Sequence, residues 1–209
     1  MLAIEKEGHV AVVTLNRAEA AGAEHQSLRM ALQEAVAAVA ADDSVRVVLL
    51  TGQEEGFPDG LDVAMLGAEP LTGAGAAHNP AAAIRACPKP VVAAVTGAAI
   101  AGGLEIVLAC DVVVASTNAR FADTHAQVGV EPGPEFAKRL VGLIGPMRAM
   151  EISMTGEFLE AEMAYDWDLI GRITAPEDLA ATALHIAREM AGAPLESLVK
   201  RKAFNAQPA

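Results

Sequence analysis

The sequence predicts a single α/β domain in which most strands pair in parallel. Three observations predict it. Two nearly all-apolar runs, 45–51 and 90–95, lack polar alternation, which is how a strand covered on both faces reads. Segments of strand character alternate with segments of helical periodicity along the chain. No linker or charge block divides the 209 residues, so 1–209 is expected to be one unit.

The elements follow in order. Residues 9–15, His-Val-Ala-Val-Val-Thr-Leu, are short and β-branched, a strand. Over 27–41, Leu28, Leu32, Ala35, Val36 and Val39 recur at helical spacing and predict an amphipathic helix. The run 45–51 is bounded by Asp42-Asp43 and Gly52. Residues 54–62 are punctuated by glycine and proline and read as a loop; 66–79, rich in glycine and alanine, reads as a mobile stretch. The stiff turn Cys87-Pro88-Lys89-Pro90 leads into the strand 90–95. Residues 97–103 are expected as loop, 104–109 as helix and 112–115 as strand. Residues 148–154 read as a helix stopped by Thr155-Gly156, and 177–190 as an amphipathic helix started near Pro176. The strand spacing is compatible with a repeating ββα unit, although internal self-similarity is weak.

Composition narrows the function. With 53% hydrophobic and only 3% aromatic residues, the core must be tight aliphatic packing. A net charge of −12 without a basic cluster argues against a nucleic-acid partner, and a phosphate-bearing ligand would depend on a few placed cations. Cys87 and Cys110 sit in apolar surroundings without metal-ligand spacing, so two buried reduced thiols and no metal or redox cofactor are expected. The N-terminus lacks the basic start and apolar stretch of a signal peptide. The apolar runs break well short of the ~18 residues a membrane span requires. No membrane partner is expected, and the expected location is cytoplasmic.

Chemistry concentrates in residues 89–105. There a buried strand emerges into small residues, then Gly102-Gly103, then a helix whose first turn holds Glu105. Glycines let a ligand approach the backbone, and the free N–H groups of a helix N-terminus face outward. Such a place can hold an oxyanion or a phosphate. Equally, it can be a tight strand-to-helix turn whose glutamate balances the helix dipole.

The segment resembles the signature of the crotonase (enoyl-CoA hydratase/isomerase) superfamily, with Cys110-Asp111 in the matching downstream position. Leu15-Asn16-Arg17, the loop Gly56-Phe57-Pro58-Asp59-Gly60-Leu61-Asp62, Thr155-Gly156 and the stretch 158–170 match further family motifs in the right order. The resemblance implies a crotonase-like spiral of ββα units that binds an acyl-CoA thioester, with no other cofactor. It implies that the backbone N–H groups of Asp59 and Gly102 form the oxyanion hole, with Ala21, Ala23, Gly60, Leu61, Asp62 and Gly103 lining the substrate. Homotrimers or hexamers are common in the family.

Glu105 falls on the family's first catalytic carboxylate, whereas His125 stands where the second acid is usual. Three readings of His125 follow: a working acid/base, a part in another reaction or in binding, or a structural histidine with Asp123 or nothing replacing the acid. Other departures are the Asp side chain at 59 and the Gly22-Ala23 pair at the adenine site. The family's C-terminal helical region is expected to be shortened, because the chain ends at Ala209. The run Lys200-Arg201-Lys202 reads as a solvated helix end or, more sharply, as a contact for CoA phosphates. The expected activity is addition of water to 2-enoyl-CoA. The alternatives are an isomerase or another enolate-forming enzyme, or a low-turnover acyl-CoA binding protein.

Overall fold

A computed structural model describes residues 2–15, 23–52 and 79–205. Leu2–Glu7 (β1) and Val10–Leu15 (β2) form an antiparallel hairpin, turned at Gly8, whose φ of 62° suits a residue without Cβ. Helix Ala23–Ala41 (α1) and strand Val47–Gly52 (β3) follow. Next come Pro80–Ala86 (α2), Val91–Val95 (β4), Ala98–Ile100 (β5), Gly102–Ala109 (α3), Val112–Ser116 (β6) and Arg120–Ala122 (β7). The chain continues through Pro134–Ile144 (α4), Pro146–Thr155 (α5), Leu159–Glu160 (β8), Ala161–Asp166 (α6) and Arg172–Thr174 (β9). Leu179–Ala191 (α7) and Leu195–Asn205 (α8) complete it.

Among the described residues, one sheet runs in the order β1-β2-β3-β4-β6-β9, parallel except for the β1–β2 hairpin. A smaller sheet has the order β5-β7-β8. Successive units, β4-β5-α3 and then β6-β7 followed by α4, each send one strand to the large sheet and the next to the small one. That is the ββα repeat the strand spacing allowed.

The apolar runs divide by parity, as period-2 geometry requires. Val48 and Leu50 of β3, with Val91, Ala93 and Val95 of β4, enter the main core beside Leu32, Val36 and Val39 of α1. Their neighbours Val47, Leu49, Val92 and Ala94 face the other way, against Leu179, Ala183, Ala187 and Ala191 of α7. Both faces of the sheet are covered, which is why these strands carry no polar alternation. Each buried leucine here contributes roughly 1.5–3 kcal/mol.

Several expectations change. The span 97–103, expected as loop, contains β5 and the first residues of α3. Ala98–Ile100 has weak strand propensity; its pairing with β7 makes it a strand. The first helix begins at Ala23 rather than 27. Helices α2 and α4 and strand β1 were not anticipated. The loop 54–62, and 66–78 of the stretch expected to be mobile, lie outside the described residues; Asn79 caps α2 by accepting the Ala82 N–H at 3.0 Å. Cys87 and Cys110 are buried and unbridged, and burial pushes the Cys110 thiol up.

Candidate active site

The N-terminus of α3 is set by its flanks. β4 turns at Gly97, φ 65°, into β5, and Ala101 then adopts φ 46° and ψ −110°. A non-glycine residue in that region costs of order 1–3 kcal/mol. Two hydrogen bonds hold it: Ala101 N–H donates to Ala122 O at 3.0 Å, and Ala101 O accepts from Glu105 N–H at 2.9 Å. Among the described residues, the N–H groups of Gly102, Gly103 and Leu104 have no acceptor. Gly102 is partly accessible while Gly103 is buried. Gly102 thus offers, at a helix N-terminus, a partly accessible position whose N–H has no acceptor among the described residues.

The same ladder delivers the second half of the site. β5 pairs with β7 in parallel, Ala98 with Arg120, Ala99 with Phe121 and Ile100 with Ala122. Asp123 and His125 follow β7 directly and are each 2% exposed. His125 Nε2 lies 3.3 Å from Glu105 Oε1, and His125 Nδ1 lies 2.6 Å from Asp123 Oδ1. Asp123 Oδ2 accepts the Ser153 hydroxyl of α5 at 2.6 Å. Phe136 of α4 stands edge-on to the imidazole, ring centroids 5.6 Å apart.

Burial opposes a charge on His125, yet hydrogen bonds from the ring to Asp123 and Glu105, together with their charges, raise its pKa to about 9. Burial likewise opposes charge on Asp123, and the hydrogen bonds from His125 and Ser153 hold it below the ordinary carboxylate range. The geometry and the neighbouring charges at this position both favour the doubly protonated ring. Arg29 of α1 adds a further charge: burial lowers its pKa, and the field of Glu105 raises it back in part.

Glu105 Oε1 faces the imidazole, whereas Oε2 has no hydrogen-bond partner among the described residues. A Cβ added at Gly133 would stand 3.2 Å from Oε2 and 3.9 Å from Asn79 Nδ2. A side chain at 133 would therefore crowd the carboxylate.

Glu105, His125, Gly102 and Gly103 thus come together. Ala23 opens α1, while Ala21, Asp59, Gly60, Leu61 and Asp62 lie outside the described residues. Sequence reasoning missed Ser153, Arg29, Asn79 and Gly133. An Asn-Pro pair at 79–80 and a Gly-Pro pair at 133–134 were available signals of helix starts. For Ser153, 30 residues from Asp123 along the chain, no local pattern exists.

The basic run near the C-terminus divides. Lys200 pairs with Glu196 on the surface, as a solvated helix face does. Lys202 fits neither expectation, because its side chain is only 9% exposed and it binds Asp111 Oδ2 at 2.8 Å. It also donates to the carbonyls of Lys89 at 3.1 Å and Ile84 at 3.3 Å. It is an internal anchor for α8, with its ammonium already occupied. No described helix is long and apolar enough to cross a membrane.

Comparison with known proteins places the chain among relatives of one family. The enoyl-CoA hydratase/isomerase family model matches residues 5–208. A short-chain-enoyl-CoA hydratase of Clostridium acetobutylicum is 33% identical over 208 residues, covering 97% of this chain and 80% of that protein. An (E)-benzylidenesuccinyl-CoA hydratase of Thauera aromatica is 37% identical over 196 residues, covering 91% and 76%. A solved enoyl-CoA hydratase structure from Mycobacterium marinum aligns with a TM-score of 0.87 at 30% identity, covering 99% of each chain. With its crotonase fold and its glutamate at the α3 N-terminus, the chain belongs to the enoyl-CoA hydratase/isomerase family and is an enoyl-CoA hydratase-like enzyme.

Proposed function

We propose that this enzyme adds water to 2-enoyl-CoA thioesters, with Glu105 as general base and His125 assisting it. One observation carries the reading: Glu105 lies one helical turn from Gly102, with one carboxylate oxygen held by His125, while the other oxygen and the Gly102 N–H have no partner among the described residues. The Gly102 N–H, with that of Asp59 as second donor, polarises the thioester carbonyl. Glu105 takes a proton from water as the water oxygen bonds C3, and the π electrons move onto the thioester oxygen. The same carboxyl then returns the proton to C2 as the carbonyl re-forms. H and OH have been added across C2=C3, and the base is regenerated. Each proton transfer by a placed group is worth about 10²–10⁴ in rate, and each oxyanion donor roughly 3–4 kcal/mol.

The resemblance supports Ala21, Ala23, Gly60, Leu61, Asp62 and Gly103 as the residues lining the thioester. It also supports a homotrimer or hexamer that uses the CoA thioester as substrate and needs no other cofactor. A double-bond isomerase is the second reading. The single open carboxylate oxygen favours it, since one base can carry a proton from one carbon to another.

The deciding experiment follows the absorbance of a conjugated enoyl-CoA and the mass of the product. Loss of absorbance with a mass gain of one water supports hydration. A displaced double bond at unchanged mass would replace it with isomerisation. Calorimetric binding without any product would leave only a binding role.

A further inference from the structure

His125 meets a carboxylate at each ring nitrogen. Asp123 Oδ1 lies 2.6 Å from Nδ1 and Glu105 Oε1 lies 3.3 Å from Nε2. A neutral imidazole has one N–H, so one of these contacts would set a lone pair against a carboxylate oxygen. The cation has two N–H donors and satisfies both. Both oxygens of Asp123 are engaged within the protein: one takes the His125 Nδ1–H and backbone N–H, and the other takes the Ser153 hydroxyl at 2.6 Å. Both Asp123 and His125 are 2% exposed, so neither contact is a surface accident. The result is a row, Ser153–Asp123–His125–Glu105, buried at its two central members, that reaches from α5 to the first turn of α3.

We propose that Asp123 and Ser153 are positioning residues that keep His125 doubly protonated, and that His125 acts on the reaction through Glu105 instead of serving as the second acid. This assignment rests on Glu105 being the catalytic base. An imidazolium donating to Oε1 holds the carboxylate turned, which leaves Oε2 as the oxygen that meets water. Asp123 thereby sets the upper pH limit of the site.

Among the described residues, the groups facing the imidazole are few. Glu105 comes from α3, Asp123 from the segment after β7, and the uncharged edge of Phe136 from α4. Ser153 of α5 touches the ring only through Asp123, and the Arg29 charge of α1 acts on Glu105. The two carboxylates raise the imidazole to about 9 against burial. Removing the Asp123 charge removes the larger of these supports.

The test uses the ring nitrogens of His125 in ¹⁵N-labelled full-length protein without substrate. In the wild type both nitrogens should be protonated at pH 8. In Asp123→Asn the ring should be neutral at pH 8, with its titration lowered by about two pH units toward the ordinary value near 6.5. Ser153→Ala, the milder change, should shift the titration the same way by less. The alkaline limb of turnover should move with the ring titration in both variants. Ring titrations that stay at the wild-type value in folded Asp123→Asn and Ser153→Ala would overturn the assignment. So would a neutral ring in the wild type at pH 8. Because the spectrum needs no substrate, failure of the hydration assay would leave this result readable by itself.

Discussion

Lys202 Nζ lies 2.8 Å from Asp111 Oδ2, a contact that ties the last described helix to the turn between α3 and β6. Asp111 also accepts the Val91 N–H at 2.8 Å, so one carboxylate serves both β4 and α8. Replacing Lys202 with methionine keeps the stem and removes the charge. It leaves Asp111 and two backbone carbonyls short of a donor. We expect a loss of about 2 kcal/mol in urea unfolding, with faster amide exchange in α8. Unchanged exchange in α8 would contradict its role as an anchor.

Glu105→Gln keeps the shape of the side chain and removes the base. Turnover should fall by about 10²–10⁴ while acyl-CoA affinity in calorimetry stays close to wild type. Turnover equal to wild type would remove Glu105 from the mechanism.

Gly133→Ala tests the placement of the carboxylate. The backbone at 133, φ −58° and ψ 140°, accepts alanine without strain. The added methyl would stand 3.2 Å from Glu105 Oε2, so that oxygen must move by a few tenths of an ångström. Unfolding midpoints should change little, and kcat should drop by about tenfold or more, because small misplacements at a reacting centre are costly. A variant with reduced stability and full kcat would show that the crowding falls elsewhere.

The pH dependence of stability has a defined sign. Although burial opposes it, the native state lifts His125 to about 9 through Asp123 and Glu105, against about 6.5 in the unfolded chain. The stability it contributes is complete below about pH 6.5 and is lost as the pH rises through about 9. The Cys110 thiol, raised by burial, adds an alkaline loss of the same sign. Asp123, held low, contributes stability present above about pH 4 and lost as the pH falls. The stability gap between wild type and His125→Gln should be widest near pH 6 and shrink toward pH 9.5. A gap that stays constant over that range would contradict the native-state cation.

Much of this was legible in the residues, and the remainder was not for physical reasons. The runs that became β3 and β4 declared themselves because a strand buried on both faces has no polar position to spare. Glu105 was singled out by the family motif it falls in, since the glycines beside it read equally well as a tight strand-to-helix turn. β5 was not, since Ala98 and Ala99 have little strand preference and only β7 makes them one. His125 was found by alignment to a motif, but its environment was hidden. Ser153 comes from α5 and Phe136 from α4, and only the packing of those helices brings them to the ring. Lys202 was misread for the same reason, since its charge says surface while its position in the folded chain says interior.

The β5–β7 ladder acts as a ruler for anyone who edits this chain. Ile100 opposite Ala122 fixes how far Asp123 and His125 stand from Glu105. One residue of slip would carry that segment about 3.3 Å along and turn its side chains to the opposite face. An insertion or deletion within 120–124 therefore removes the imidazole from its carboxylate even though every residue is still present. The exposed turn at Thr117-Asn118 lies before the ladder, so lengthening it adds chain without resetting the measure. Two adjoining stretches of similar length thus differ sharply in their tolerance to change, and the ladder marks the border between them.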